Sequence, residues 1–174
     1  MRTLRTQRLQ LRPICASDLD ALHELWTERE VRRYLWDDKI VSRDTVSGII
    51  ATSGAYFDEC RLGFFAVSLA DEGERLIGFC GFRRFEGGEQ VELLYGIHPR
   101  YWGAGLGTEA AAEALRYAFE ECALEHVVAA TDTPNQRSVR VLQRLGMVFE
   151  SRREYHGLDT VFYSCTPADF AERR

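Results

Sequence analysis

The sequence predicts one α/β domain on a mixed sheet, antiparallel on its N-terminal side and parallel at its centre, flanked by helices. Three observations lead there. Between residues 63 and 97, three β-rich runs are separated by short acidic glycine turns of the kind that join antiparallel neighbours. After residue 104 the rhythm changes to helix, strand, helix, strand, strand. No internal repeat, low-complexity tract or Pro/Ser-rich linker interrupts the 174 residues, so 1–174 reads as a single domain.

Taken in order, residues 8–14 (Arg-Leu-Gln-Leu-Arg-Pro-Ile) alternate apolar with polar, as a half-buried strand does. Ser17-Asp18 offers an N-cap, and Leu19, Leu22, Leu25 and Trp26 then recur at helical spacing. Further helices are expected over about 28–35 and 43–58, the latter with Val46, Ile49 and Ile50 as its apolar face. The β-rich runs are 63–70, 75–85 and 90–97, with Glu86-Gly87-Gly88-Glu89 as a solvated hairpin turn. A helix over 105–122 buries Ala111, Leu115, Ala118, Phe119 and Cys122. Strand 126–132, helix 134–145 and strands 147–156 and 160–166 complete the chain. The unit from 91 to 132 should form a right-handed parallel crossover.

Composition narrows the function. The chain is 45% hydrophobic and 11% aromatic, enough for a real core. Its 22 Lys plus Arg against 27 Asp plus Glu leave a net charge of −5, which argues against a nucleic-acid partner. No apolar run approaches the roughly 18 residues of a membrane span. The first residues alternate charge with Leu instead of forming a secretory h-region. A soluble cytoplasmic protein is expected, with no membrane partner. Five scattered cysteines without a Cys-x-x-Cys pair suggest neither a metal site nor a disulfide framework, and read as small core residues.

The most informative segment is Pro99-Arg100-Tyr101-Trp102-Gly103-Ala104-Gly105-Leu106-Gly107-Thr108-Glu109, which follows a strand and opens a helix. Three glycines allow close backbone approach, and free N–H groups at a helix start bind anions, so phosphate or pyrophosphate is the natural guest. The tripeptide of a P-loop is missing, and Gly-x-Gly-x-Gly is not the dinucleotide fingerprint. Asp132 could imitate a ribose-binding acid, which keeps a nicotinamide-dependent enzyme as one reading. A tight turn serving only strand–helix packing is the structural alternative.

A second helix start lies at Thr133-Pro134-Asn135-Gln136, a capping-box candidate with Thr133 as N-cap. Asn135 and Ser138 stand three apart, in line with Leu142 and Leu145, so two small polar residues continue an apolar stripe. They either bond local backbone or face a narrow channel. Gly146 closes that helix.

Arg100-x-x-Gly103-x-Gly105 before a helix resembles the acetyl-CoA signature of the GNAT superfamily of N-acetyltransferases. Thr6-x-Arg8-Leu9-x-Leu11-Arg12, Tyr101-Trp102-Gly103 with Thr108-Glu109-Ala110, and Asn135-x-x-Ser138 running into Leu145-Gly146 are similar to its ribosomal-protein-alanine (RimJ/RimL-type) branch. The resemblance spans nearly the whole chain and implies a GNAT-like sheet and acetyl transfer to a primary amine, on a protein N-terminus or a small molecule.

By that resemblance, Arg100, Trp102 and the backbone of Gly103, Ala104, Gly105, Leu106, Gly107 and Thr108 hold the pyrophosphate of acetyl-CoA. Its pantetheine arm passes Leu94 and Tyr95 in a gap between strands 91–97 and 126–132. Asn135 bonds the arm, and Ser138 sits near the thioester sulfur, with Tyr155 or Tyr163 as reserve donors to the departing thiolate. Glu92 matches a strand glutamate that draws a proton from the amine, often through water, and N–H groups near Leu94 face the developing oxyanion. Read from the residues alone, a polar Glu92 beside apolar Leu93 and Leu94 is also what an exposed strand face would give. Tyr34 and Trp36 border the acceptor, or pack in the core.

Departures are equally specific. Ala104 stands where relatives often carry Lys or Arg, leaving Arg100, Arg137 or Arg140 to compensate. Leu94 replaces a frequent glycine and Met147 a common phenylalanine. His98 reads as a turn residue and Glu109 as a complement to the helix dipole. The resemblance allows a homodimer and requires no metal. A non-catalytic acyl-CoA-binding module is the reading from another class.

Overall fold

A computed structural model of the chain describes residues 3–73 and 75–172. In order, its elements are β1 (Leu4–Arg5), β2 (Leu9–Pro13), α1 (Leu19–Thr27), α2 (Arg29–Leu35), α3 (Arg43–Cys60), β3 (Phe64–Leu69), β4 (Leu76–Arg84) and β5 (Val91–Ile97). Then come α4 (Leu106–Glu120), β6 (Val127–Asp132), α5 (Gln136–Arg144), β7 (Val148–Tyr155), β8 (Leu158–Cys165) and α6 (Pro167–Glu172). The short β1 and α6 carry no sequence signal of their own.

The strands form one sheet in the order β1-β2-β3-β4-β5-β6-β8-β7. The meander through β5 is antiparallel as expected. Parallel pairing is narrower than expected: β5 meets β6 at one residue pair, Glu92 with Val128, and β6 then pairs antiparallel with β8.

Both faces of the sheet are covered, which explains the run of four apolar residues, Phe64 to Val67, that opens β3. Successive side chains of a strand point to opposite faces. Phe65 and Val67 therefore join the cluster under α4, while Phe64 and Ala66 join the one under α1 and α3. Trp26 anchors the second cluster, edge-on to Phe79 at 5.4 Å between ring centroids.

Three local expectations are corrected. Asp18 does not cap α1 with its side chain; its carboxylate accepts from both Arg12 Nη atoms (2.8 and 2.7 Å) and from the Cys15 N–H. A partly buried guanidinium is a stronger donor than a helix N–H. Of the five cysteines only Cys80 and Cys165 are buried; Cys15 is exposed, and Cys60 and Cys122 are half-buried. Helix α5 is capped by Asn135 instead of Thr133, because the Thr133 N–H already donates to the Asp159 carbonyl at 2.7 Å and stays with the sheet.

At the other end of α5, Gly146 (φ +73°) closes the helix. Its N–H reaches the Gln143 carbonyl, and the Met147 N–H reaches that of Leu142, the paired bonds of a Schellman turn. No helix among the described residues is long and apolar enough to cross a membrane, and no group of three or more His, Cys, Asp or Glu among them is placed to hold a metal.

Candidate active site

Because β5 and β6 part after Glu92–Val128, a wedge opens between their C-terminal halves. It forms a cavity of about 1100 Å³ that runs from the glycine turn, along residues 92–97 of β5 and 129–132 of β6, to α5 and Tyr34 of α2. A smaller cavity of about 530 Å³ lies on the other side of the turn, bounded by Thr6, Glu109, Arg116 and Phe170.

The turn is held open at one end of the wedge. Gly103 (φ +83°) and Gly105 (φ +78°) adopt the left-handed conformation that side chains disfavour. Gly105 is the N-cap of α4 and no side chain caps that helix, so its first-turn N–H groups are available as donors to a ligand. Trp102 closes the turn onto β5 by donating Nε1–H to the Ile97 carbonyl at 2.6 Å. The Arg137 guanidinium lies 4.2 Å over the Trp102 ring, and Arg140 and Arg144 line the same cavity. Guanidiniums and an uncapped helix start are the kinds of group that can hold an anion.

Sequence reasoning missed the brace beneath this turn. Arg8 donates Nη1–H to the Ala104 carbonyl (2.8 Å) and Nε–H to Glu109 (2.7 Å), and Glu109 also accepts from the Arg8 N–H and Thr6. Burial alone would raise the Glu109 pKa, but these bonds outweigh it and hold it low. The adjacent basic and acidic residues of the N-terminal strand and α4 carried a pattern, but no signal of their pairing.

Midway along the wedge, Asn135 Oδ1 accepts from the Ser138 N–H at 3.4 Å, so this asparagine serves as a helix cap. Ser138 Oγ is 2.7 Å from the Tyr95 hydroxyl. Deeper in, Glu92 is 4% exposed and paired with Arg83 at 2.7 Å. Burial raises its pKa, with the Arg83 charge and hydrogen bond pulling the other way. An exposed strand face therefore does not explain Glu92. Asp132 also lines the wedge, its pKa raised by burial and then by the nearby Asp37 carboxylate.

The wedge thus gathers Tyr34, Glu92, Leu94, Tyr95, Trp102, Gly103, Gly105, Leu106, Gly107, Thr108, Asn135 and Ser138. It does not include Trp36, which packs tilted on Trp26 at 5.7 Å, nor Arg100 and Ala104, which lie outside its lining. His98 accepts the Arg100 N–H and caps a short turn. Tyr163 is buried in the core, edge-on to Phe149. Tyr155 does line the wedge, and burial followed by the Glu86 carboxylate pushes its pKa up to about 12.

Residues 8–148 match the family model described as Acetyltransferase (GNAT) domain. The chain belongs to the GNAT acetyltransferase family. It is similar to the N-acetyltransferase YoaA of Bacillus subtilis, 29% identical over 168 residues that cover 95% of this chain and 92% of that one. Among solved structures, an acetyltransferase from Agrobacterium tumefaciens superposes with a TM-score of 0.83 at 22% identity, covering 95% of this chain and 94% of that one. RimL, a ribosomal-protein α-N-acetyltransferase solved in complex with coenzyme A, has a TM-score of 0.77 at 18% identity, covering 95% and 98%. As a GNAT member this chain is an acyltransferase, and GNAT acetyltransferases use acetyl-CoA. The nicotinamide reading falls with this assignment: the described residues have one parallel strand pairing, not the doubly wound sheet that such enzymes need.

Proposed function

We propose that this protein transfers the acetyl group of acetyl-CoA directly to a primary amine, with the wedge between β5 and β6 as its active site. The observation that carries this reading is the continuity of the cavity. It joins an anion-binding turn at one end to a buried carboxylate, Glu92, at the other.

In this reading the N–H groups of residues 103–108 take the pyrophosphate, with Arg137, Arg140 and Arg144 supplying countercharge. The pantetheine arm runs between Leu94 and Tyr95 on one side and α5 on the other. Glu92, its affinity for a proton raised by burial, accepts the proton of an ammonium substrate directly or through water and releases a nucleophilic amine. N–H groups of β5 near Leu94, on the edge that β6 has left, face the thioester oxygen. The departing sulfur meets Ser138. Tyr34 borders the acceptor, which is a protein N-terminus or a small amine of a cytoplasmic pool. The likeness to RimL supports the ribosomal-protein-acetylating branch of the family.

Thermal unfolding with acetyl-CoA, CoA and NAD, each added separately, tests the reading. Ligand at a hundred times its dissociation constant adds about 2.7 kcal/mol, a midpoint rise of roughly 5–10 °C for a domain of this size. Both CoA species should raise the midpoint and NAD should not, and release of free thiol in the presence of an amine panel should then report turnover. Binding of CoA with no thiol release to any amine would favour a non-catalytic acyl-CoA-binding module. No response to either CoA species would remove the proposal.

A further inference from the structure

We infer that Tyr95 is a positioning residue for Ser138: its phenol donates to Ser138 Oγ and leaves the serine's own hydrogen directed into the wedge, toward the leaving sulfur. This rests on the acetyl-transfer reading above and adds a function for a residue that the reading treats as wall.

The two residues are 43 apart in sequence and come from opposite sides of the opening, Tyr95 from β5 and Ser138 from the first turn of α5. The phenol oxygen lies 2.7 Å from Ser138 Oγ and 3.2 Å from the Ser138 carbonyl. Each hydroxyl has one hydrogen to give. The Ser138 carbonyl sits in a helix, where the i+4 N–H is its ordinary partner, and its contact is the longer one. The phenolic hydrogen therefore goes to Oγ. The serine hydrogen then has no claim from Tyr95 and turns to the cavity that both residues line.

A serine in the first turn of a helix otherwise tends to bond a backbone carbonyl of its own chain, which would tie up this hydrogen. Among the described residues Ser138 Oγ makes no such bond, and its side-chain partner is Tyr95 across the wedge. Burial raises the phenol's pKa, so the phenol keeps its hydrogen throughout the neutral range. A hydroxyl that accepts one hydrogen bond donates a stronger one, so the pair acts as a short polarised chain.

The chemistry of the step balances without an added reactant. The amine nitrogen forms a bond to the thioester carbon, the carbon–sulfur bond breaks, and its electron pair stays on sulfur as a thiolate. Serine is a far weaker acid than a thiol, so Ser138 stabilises that charge by a hydrogen bond without losing its proton. The proton that neutralises the sulfur is the one the amine gives up, carried by Glu92 or solvent. Tyr95 touches neither reacting atom and acts through Ser138.

The test is the ionisation of the CoA thiol when bound, followed by its ultraviolet thiolate absorbance as pH rises. It is read in the wild type, in Tyr95→Phe, in Ser138→Ala and in the double variant. No acceptor amine is needed. The wild type should ionise the bound thiol below its solution value. Tyr95→Phe should raise that midpoint by roughly half a unit to one unit, and Ser138→Ala by at least as much. Tyr95→Phe added to Ser138→Ala should change nothing further. With a substrate amine, kcat of Tyr95→Phe should fall about tenfold while the KM for acetyl-CoA moves less than about threefold.

A Tyr95 that is only a strut would lower the melting temperature and leave the bound thiol at its wild-type midpoint. That result, or an equal shift in the presence and absence of Ser138, overturns the inference. Should Tyr95→Phe fold poorly, Ser138→Ala examines the same bond from its other partner, and an unshifted thiol there is equally fatal. Wild-type protein that binds no CoA gives no titration at all, which marks failure of the underlying acetyl-transfer reading instead.

Discussion

Arg8 and Glu109 stand 101 residues apart and close a bracket around the glycine turn, with Arg8 Nε–H on the Glu109 carboxylate at 2.7 Å and Arg8 Nη1–H on the Ala104 carbonyl. The bracket joins Arg8, just before β2, to the first turn of α4, so the N-terminal segment helps to set the glycine turn. Arg8 is about half exposed, so solvent screens much of the charge term. Glu109→Ala should therefore cost only about 1–2 kcal/mol, most of it from lost hydrogen bonds. The Glu109 pKa is lower folded than unfolded, so its contribution is complete above the ordinary glutamate pKa and disappears as pH falls through the folded value. Denaturant melts from neutral to acid pH should show the wild type and Glu109→Ala converging at low pH. A gap that stays constant with pH would mean the carboxylate charge contributes nothing.

Glu92 has the opposite sign. Its pKa is raised on folding, so the folded protein holds this proton more tightly. Stability from this group therefore declines as pH rises from the ordinary 4.5 through the folded value. Glu92→Gln keeps an oxygen for Arg83 and removes the charge. It should lower kcat by roughly a hundredfold without lowering the melting temperature at neutral pH. The wild-type rate should have an acid limb above the usual glutamate range, and the variant should lack it. A Glu92→Gln enzyme with the wild-type rate and the same acid limb would assign the proton transfer elsewhere.

These features differ in how far the sequence alone reveals them. The meander is legible because turn chemistry is local: an acidic glycine turn between two β-rich runs leaves few alternatives to a hairpin. The glycine turn is legible for the same reason, since left-handed backbone at Gly103 and Gly105 demands that residue type. The cap of α5 was not, because Thr133 and Asn135 are comparable caps locally and a bond to Asp159, 26 positions after Thr133, decides between them. Glu92 was ambiguous because β5 is covered on both faces, where alternation stops reporting exposure. The pairings of Tyr95 with Ser138 and of Arg8 with Glu109 join distant segments, and no periodicity within one element encodes them.

Gly105 and Gly107 of the turn should separate by experiment. An added Cβ at Gly105 would meet nothing closer than Arg8 Nη2 at 3.7 Å, so space is not the obstacle; φ of +78° is. Gly105→Ala should cost about 1–2 kcal/mol and weaken acetyl-CoA binding as the N–H groups rotate. Gly107 lies inside α4 without a positive φ, and its Cβ would make an ordinary 3.6 Å contact with Ile97. Gly107→Ala should stabilise the free protein by a few tenths of a kcal/mol, up to about 1. If it also weakens acetyl-CoA, measured by calorimetric titration, that glycine serves the close approach of a ligand. Affinity unchanged at Gly107 and at Gly105 would leave the turn with a packing role alone.

The arginine end of the wedge gives a prediction that turns on charge. Arg137 lies over the Trp102 ring and, with Arg140 and Arg144, lines the cavity beside the uncapped start of α4. If these guanidiniums meet phosphate, Arg137→Ala should raise the dissociation constant of acetyl-CoA by about five- to tenfold at low salt. The difference should narrow at high salt, where the Debye length falls to about 3 Å at 1 M. A truncated acetyl thioester of pantetheine, which has the arm but no phosphate, supplies the control. It should bind the wild type and Arg137→Ala equally and with little dependence on salt. Equal loss for both ligands would assign Arg137 to holding Trp102, because a platform for the turn would affect the arm and the phosphates alike.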